Sequence, residues 1–145
     1  MRATYLLDAN VLVALTHARH LHHHAAHRWF VTITDWAATP MTETALVRLL
    51  TNPVVVGHPI TPAQALAAVS QVRALPGHRW LPDDSTLAEP RITVTRGGYR
   101  QVTDFHLVNL AAASGHVLAT FDTKIQAAVI ASDQRHVHAI APRVR

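Results

Sequence analysis

The sequence contains no cysteine, which excludes disulfide bonds and cysteine-based zinc sites and is consistent with a reducing compartment. No apolar run approaches the roughly 18 residues that a membrane-spanning helix needs. The first residues lack the pattern of a signal peptide, because Asp8 and Asn10 interrupt the apolar run. We therefore expect a soluble, cytoplasmic protein with no part in a membrane. We also expect one domain over residues 1–145, long enough to bury a sizeable core.

Acidic residues are scarce as well. Nine Asp and Glu residues stand against 13 Lys and Arg residues, and 12 of these 13 are arginine. Arginine suits phosphate groups because its guanidinium is a planar fork of hydrogen-bond donors. A basic surface of this kind favours polyanions such as nucleic acid, although the charge alone is as typical of a basic protein without such a partner.

Short apolar runs alternate with helix-like segments along the chain. Residues 4–7 are apolar at successive positions, which is typical of a central parallel strand covered on both faces. The alternation predicts an α/β fold around a mostly parallel sheet of about five strands. The predicted strands are 4–7, 36–41, 78–81, 116–121 and 137–140. The predicted helices are 11–16, 21–35, 42–50, 62–75, 104–114 and 123–130.

Capping residues mark several of these boundaries. Asn10 is the predicted N-cap of the first helix, Thr61 that of the fourth and Thr103 that of the fifth, while Gly115 ends the fifth. Two stretches have no single prediction. Residues 82–90 are a polar loop or one helical turn, and residues 92–98 are a strand or a turning loop.

Four acidic residues fall where strands end or helices begin. Asp8 follows the first strand, Asp122 follows the fourth, and Glu43 and Asp104 lie in the first turns of helices. In a parallel sheet these positions share one edge, so we expect the four carboxylates to converge. Crowded carboxylates raise one another's pKa, and a divalent cation removes that penalty. Hard oxygen ligands favour Mg²⁺ or Mn²⁺.

The charge outside these four residues is strongly basic, with 13 basic residues against five acidic ones. An acidic pocket in a basic surface is suited to metal-dependent cleavage of a phosphate polymer. Taken singly, Glu43 or Asp104 is explained equally well as a charge at a helix start. The other five acidic residues are expected to be solvated: Asp35, Asp83, Asp84, Glu89 and Asp133.

These segments, in this order, resemble the PIN-domain ribonucleases and, among them, the VapC toxins of bacterial toxin–antitoxin pairs. The resemblance covers essentially the whole chain. Its matching segments are residues 7–12 (LDANVL), 42–43 (TE), 100–104 (RQVTD) and 119–122 (ATFD). It implies a three-layer α/β/α sandwich, a Mg²⁺-dependent RNA endonuclease with Mn²⁺ as an alternative cofactor, a VapB-type antitoxin and a homodimer.

The resemblance carries the family's acidic residues to Asp8, Glu43, Asp104 and Asp122. Asp8 and Asp104 are expected to hold the principal Mg²⁺, while Asp122 and Glu43 complete the site or bridge to it through water. Glu43 alternatively orients the attacking water as a base. The RNA that is cleaved is not identified by the residues.

Three polar residues are expected to position the carboxylates by hydrogen bonds: Asn10, Thr42 and Thr120. The resemblance assigns Asn10 as the small polar partner of the first acid. For each threonine, helix capping or packing at a strand end is the simpler interpretation.

Two other functions stay open. Phosphatases of the haloacid-dehalogenase type also begin with an aspartate after a strand, but their second acid, two residues on, is here Asn10. A non-catalytic nucleic-acid or partner-binding domain explains the basic charge but leaves the clustered acids without a role. The histidine-rich segment 17–27 contains His20/His24 and His23/His27 at helical spacing, and exposed helix faces or a partner surface explain it better than a metal site.

Overall fold

The computed structural model describes residues 2–94 and 97–142. The strands are β1 Thr4–Leu7, β2 Trp36–Ala38, β3 His78–Trp80, β4 His116–Thr120 and β5 Val137–Ala139. The helices are α1 Ala9–Thr16, α2 His23–Phe30, α3 Pro40–Leu50, α4 Pro53–Val56, α5 Pro62–Arg73, α6 Val102–Ser114 and α7 Thr123–Ala128. Two short 3₁₀ helices cover Tyr99–Gln101 and Ala131–His136.

The five strands form one sheet in the order β3-β2-β1-β4-β5, and every neighbouring pair is parallel. Successive residues of β1 point to opposite faces of the sheet. Leu7 belongs to the apolar cluster shared with α1, α3 and α5, and Leu6 belongs to the cluster shared with α6 and α7. Helices therefore cover both faces, which confirms the predicted α/β/α sandwich.

Burial on both faces explains why β1 lacks alternating polar residues. Leu6 and Leu7 are fully buried, and each side chain stabilises the fold by about 1.5–3 kcal/mol relative to exposure.

In the part of the chain that the structure describes, no helix combines the length and apolar character needed to cross a bilayer.

Two predicted helices have different limits. The helix predicted over 21–35 covers only His23–Phe30. It starts late because the His20 side chain accepts the N–H of His22 and holds the chain in a turn. The helix predicted from residue 42 starts two residues earlier, because Pro40 occupies its first position and Thr39 before it is extended. The second strand, predicted to end at residue 41, ends at Ala38, so residues 39–41 were wrongly included in it.

Caps account for most of the remaining differences. Asp8, and not Asn10, is the N-cap of α1. Thr103 lies inside α6, which begins at Val102. Helix α4 was not predicted, although Asn52 caps it by accepting the N–H of Val54. The prediction for Gly115 is confirmed, since it ends α6 in the left-handed conformation with φ of 72°. The predicted ends at residues 75, 81, 121, 130 and 140 were each one or two residues too late.

The segment between β3 and α6 contains no strand or α-helix in its described residues. Residues 92–94 and 97–98 are not paired with the sheet, and Thr95 and Arg96 lie outside the described residues. Side chains from α6 hold this segment: the Asn109 Oδ1 accepts the N–H of Arg91 at 2.6 Å, and the Asn109 Nδ2 donates to the carbonyl of Thr86 at 3.2 Å. Asn109 is fully buried, so both ends of its amide are satisfied by this segment.

Two acidic residues that were predicted to be solvated hold the same segment. The Asp133 carboxylate is buried and accepts the N–H of Thr93 at 2.8 Å. Asp83 lies 2.7 Å from the Nε2 of His106, with both side chains largely buried. The prediction failed because it assigned acids by their loop positions, whereas these carboxylates receive backbone or imidazole partners from distant residues.

Candidate active site

Asp8 lies at the carboxyl end of the central strand and caps the helix that follows. Its backbone is extended, and its Oδ1 accepts the N–H of Ala9 at 2.7 Å. Its Oδ2 accepts the hydroxyl hydrogen of Thr120 at 2.8 Å. Asp8 is only 8% exposed. The carboxylate is thus held in place from both of its oxygens.

The Thr120 hydroxyl connects the ends of β1 and β4. The two strands are aligned with Leu7 opposite Ala119, so the next residues, Asp8 and Thr120, are neighbours across the edge. The Thr120 Oγ1 also accepts hydrogen bonds from the Asn10 Nδ2 at 3.1 Å and the Asp122 backbone N–H at 3.0 Å. Thr120 is fully buried, and this network fixes three site residues relative to one another.

Asn10 and Asp122 complete the network on the β4 side. The Asn10 Oδ1 accepts the N–H of Phe121 at 3.2 Å. The Asn10 amide therefore bonds both the last residue of β4, Thr120, and the residue that follows it. Asp122 caps α7, and its Oδ1 accepts the N–H of Lys124 at 2.9 Å. Both side chains therefore bond backbone N–H groups in addition to their place in the site.

Asp104 differs from Asp8 and Asp122 in its lack of fixed contacts. It lies in the first turn of α6. Within residues 2–94 and 97–142, no hydrogen-bond donor is within bonding distance of its carboxylate, although the side chain is partly buried. A carboxylate that is desolvated and also without a donor is a costly arrangement unless a cation is bound.

The pKa values show that the three aspartates share one electrostatic environment. Burial raises the pKa of Asp104, and the charges of Asp8 and Asp122 raise it further, to about 6. Burial also raises the pKa of Asp8, partly offset by the hydrogen bonds from Thr120 and Ala9, and the charge of Asp122 adds to the increase. We call Asp8, Asp104 and Asp122 the aspartate cluster.

Glu43 has a different environment. Its Oε2 lies 2.8 Å from the Nε of Arg73, and its Oε1 lies 3.4 Å from the Nη2 of the same guanidinium. The Arg73 guanidinium is also 4.6 Å from the centre of the Trp80 ring. The pKa increases at Asp8 and Asp104 come from burial and from charges within the aspartate cluster, and not from Glu43. We call Glu43 and Arg73 the glutamate–arginine pair.

The hydrogen bonds of Thr42 within the described chain are to the backbone of Thr39 and not to the aspartate cluster. The Thr42 Oγ1 accepts the N–H of Thr39 and donates to the Thr39 carbonyl, both at 3.2 Å. These contacts satisfy the first turn of α3, which agrees with the simpler interpretation of this residue as part of a helix start.

The donor set of the aspartate cluster fits a hard divalent cation. It offers carboxylate oxygens, which Mg²⁺ and Mn²⁺ prefer, and a bound cation would offset the repulsion that raises the pKa of Asp104. Among the described residues, no group of three or more His, Asp or Glu side chains is already arranged to hold a metal ion. Mg²⁺ commonly binds through one or two carboxylates and several waters, and the Asp104 carboxylate has no hydrogen bond in the described chain that competes with a cation.

Sequence reasoning missed Arg73. It lies near the end of α5, 30 residues after Glu43, and no local pattern indicates that the two meet. The histidine-rich segment also has contacts that were not predicted. The His23 Nδ1 lies 2.7 Å from the carbonyl of Ala14, and the His27 Nε2 lies 3.0 Å from that of Leu15. These two histidines therefore contact the carboxyl end of α1 and are not fully solvated.

Comparison with known proteins identifies the class. Residues 5–130 match the PIN domain, and the chain therefore belongs to the PIN-domain family. Its curated relatives include Ribonuclease VapC39 of Mycobacterium tuberculosis (strain ATCC 25618 / H37Rv), 44% identical over 128 residues, which cover 84% of this chain and 91% of that protein. Ribonuclease VapC38 of the same strain is 43% identical over 122 residues, covering 83% of this chain and 86% of that protein.

A third relative, Ribonuclease VapC29 of the same strain, is 40% identical over 121 residues, with 83% of this chain and 86% of that protein covered. Within the PIN-domain family, the chain therefore belongs with the VapC-type proteins. This confirms the resemblance that the segments around Asp8, Glu43, Asp104 and Asp122 indicated.

Proposed function

We propose that this chain is a Mg²⁺-dependent endoribonuclease, the toxin of a VapBC-type pair, which hydrolyses phosphodiester bonds in RNA. The observation that carries the proposal is the aspartate cluster, in which the pKa of Asp104 is raised to about 6 by burial and by two neighbouring carboxylates. This arrangement lies at the carboxyl edge of a parallel sheet, where α/β proteins bind their ligands. The relatives Ribonuclease VapC39 and Ribonuclease VapC38 support the choice of RNA.

Asp8 and Asp104 are the proposed principal ligands of Mg²⁺, with Asp122 and Glu43 as additional or water-bridged ligands. Mn²⁺ is an alternative, because it prefers the same oxygen ligands. The bound ion would supply Lewis acidity, activating a water for in-line attack and offsetting the charge that develops on the phosphate. The side chains of the protein would hold the cation and position the attacking water and the phosphate.

The positioning role falls first on Thr120. Its hydroxyl donates to Asp8 and accepts from Asn10 and from the backbone of Asp122, so it fixes the orientation of the Asp8 carboxylate. Deprotonated Asp104 is required for a cation site, and in the metal-free protein Asp104 retains its proton up to about pH 6. The contact with Arg73 occupies part of the Glu43 carboxylate, so the proposed role of Glu43 as a ligand or as a base competes with this ion pair.

The proposal includes two protein partners, a VapB-type antitoxin and a second copy of the chain. It also places the protein in the cytoplasm. The VapC-type family membership supports the antitoxin, and the absence of cysteine is consistent with the cytoplasm. Exposed Val54 and Leu66, at 90% and 58% exposure, provide apolar surface that a protein partner would cover. We expect the neighbouring gene to encode a small DNA-binding protein. We also expect that protein to co-purify with this chain.

The central test is incubation of the purified protein with structured RNA, with Mg²⁺ or with EDTA. We expect endonucleolytic cleavage that requires the cation and that is abolished in Asp8→Asn, because asparagine keeps the helix cap but removes the charged ligand. Asp84→Asn, at an exposed loop residue, is the matched control and should cleave like the parent.

Three outcomes contradict the proposal. Cleavage that persists in Asp8→Asn indicates a contaminating nuclease. Hydrolysis of p-nitrophenyl phosphate with intact RNA favours a phosphatase. Binding of RNA without any cleavage, in Mg²⁺ or in Mn²⁺, favours a non-catalytic binding domain.

A further inference from the structure

We propose that His22 is a positioning residue of the candidate active site, because its ring holds Phe121 and thereby the neighbouring Asp122. This inference rests on the proposed function and gives one residue of the histidine-rich segment a role in the site. It starts from a direct contact: the His22 and Phe121 rings are stacked, with 4.7 Å between their centres and 22° between their planes. The connection between α1 and α2 therefore reaches the end of β4, where Asp122 caps the next helix.

Phe121 belongs to the hydrogen-bond network of the site through its backbone. Its N–H donates to the Asn10 Oδ1 at 3.2 Å, and it stands between Thr120 and Asp122 in the chain. The Phe121 ring is partly buried and packs against the apolar cluster that contains Leu7. A change in the packing of this ring would shift the backbone that leads into Asp122, and with it the carboxylate of that residue.

The backbone of His22 is fixed on both sides of its Cα. The His20 Nδ1 accepts the His22 N–H at 3.0 Å, and the His22 carbonyl accepts the N–H of Ala26 at 2.8 Å. Helix α2, which follows, is connected to the end of α1 by the His23 Nδ1, 2.7 Å from the carbonyl of Ala14. The His22 ring therefore projects from a fixed backbone, and the stacked arrangement costs little conformational entropy.

The stacked face of the His22 ring, and not a hydrogen bond, stabilises this contact. The His22 Nδ1 is buried and has no hydrogen-bond partner in the part of the chain that the structure describes. A buried nitrogen without a partner is destabilising, whereas stacked aromatic rings stabilise one another. Phenylalanine offers a similar ring face without the unpaired nitrogen, so it should replace His22 in the site, and alanine should not.

The first experiment measures the Mg²⁺ requirement of RNA cleavage. We expect His22→Ala to raise the Mg²⁺ concentration for half-maximal cleavage by about 10-fold, the lower end of the range for residues that orient metal ligands. His22→Phe should stay within about twofold of the parent. His24→Ala is the matched control and should also stay within about twofold, because His24 is an exposed histidine of the same segment whose ring neighbours that of His23.

A second readout is independent of cleavage. The melting temperature of each variant is measured without RNA, first in EDTA and then across a Mg²⁺ titration. His22→Ala should melt about 2–4 °C below the parent in EDTA, as expected for the loss of one stacked aromatic pair, and should need about 10-fold more Mg²⁺ for its stabilisation. His22→Phe should melt at or above the parent and keep the parental Mg²⁺ midpoint. In the Phe121→Leu background, His22→Ala should change this midpoint no further, because the ring that it acts on is absent.

Three results overturn the inference. A parental Mg²⁺ requirement in His22→Ala, with or without a lower melting temperature, shows that the ring supports only the fold. A loss in His22→Phe as large as that in His22→Ala shows that the imidazole, and not stacking, is needed. A similar loss in His24→Ala shows a general effect of the segment. A parent that neither cleaves RNA nor is stabilised by Mg²⁺ contradicts the proposed function and this inference with it, whereas the three results above require an active parent.

Discussion

The carboxylates of the aspartate cluster and the carboxylate of Glu43 have opposite electrostatic environments. Near the ends of β1 and β4, the charges of three aspartates interact with one another, and the Asp104 carboxylate accepts no hydrogen bond from the described chain. On the side of α3 and α5, Glu43 is bonded to the Arg73 guanidinium. In the described residues the aspartate cluster thus has no basic partner, whereas the glutamate–arginine pair contains one. The comparison supports the aspartate cluster as the centre of the proposed cation site.

The largest expected effect separates these two sides directly. Asp104→Asn should lower RNA cleavage at least about 100-fold, because it removes a proposed ligand, and Glu43→Gln should lower it less, by about 10-fold. The effects on the metal-free protein should differ in sign. Asp104→Asn should raise the melting temperature by removing repulsion, whereas Glu43→Gln should lower stability by less than about 1 kcal/mol, as for a half-exposed ion pair.

Both measurements use the same preparations, with cleavage assayed in Mg²⁺ and melting followed in EDTA. Asp84→Asn again provides the surface control. If Glu43→Gln stabilises the protein and Asp104→Asn does not, the repulsion lies on the glutamate side and the comparison is reversed.

A smaller effect is expected at Thr120, which orients the cluster. Thr120→Val leaves the Asn10 Nδ2 and the Asp122 N–H without their acceptor and removes one of the two donors to the Asp8 carboxylate. We expect a loss of about 1–3 kcal/mol in the free energy of unfolding in urea and a loss of cleavage of about 10- to 100-fold. Thr120→Ser should recover most of both.

The control for this prediction is Thr16→Val, since the Thr16 hydroxyl donates to backbone carbonyls inside α1. It should cost some stability without an effect on the catalytic rate beyond that of partial unfolding. Thr120→Val that is destabilised but cleaves at the parental rate would show that the hydroxyl supports the fold alone.

The smallest expected effect is the pH dependence of stability in EDTA. The pKa of Asp104 is about 6 in the folded protein and 3.8 in the unfolded chain, so between these values the native state binds more protons. The contribution of Asp104 to stability therefore falls as the pH rises from about 4 to about 6. Asp104→Asn should remove this component, and Mg²⁺ should reduce it.

The histidines whose pKa is lowered by burial act in the opposite direction, because their neutral form is favoured in the folded state. They include His17, His20, His78, His136 and His138. Their contribution is lost as the pH falls below 6.5, the ordinary pKa of histidine, so the measurement depends on the difference between parent and Asp104→Asn. Identical pH profiles for the two proteins would rule out a raised pKa at Asp104.

The proximity of Asp8, Asp104 and Asp122 could be predicted from the sequence, whereas the contact of Glu43 with Arg73 could not, and the reason is physical. Asp8 and Asp122 follow buried strands whose apolar runs are visible in the sequence, and parallel pairing brings such strand ends together. The prediction for Asp104 needed only the first turn of a helix. The interaction of Glu43 with Arg73, in contrast, depends on how α3 packs against α5, which no local pattern encodes.

The errors in the fold follow the same division. Helix ends that depend on tertiary contacts, such as those of α2 and α6, were misplaced, whereas Thr61 with Pro62 and Gln64 marked the start of α5 correctly because the cap is local. Asp133 was taken for a solvated residue because its partner, the Thr93 N–H, is 40 residues away.

The segment between β3 and α6 has one more consequence. Its backbone is irregular, yet Asn109 and Asp133 accept the amide hydrogens of Arg91 and Thr93 from within the fold. Hydrogen exchange at these two amides therefore requires release from α6 and from the 3₁₀ helix Ala131–His136, and not merely fluctuation of a loop. In deuterium-exchange measurements they should behave like core amides, and proteases should spare the peptide bonds next to Arg91 and Thr93.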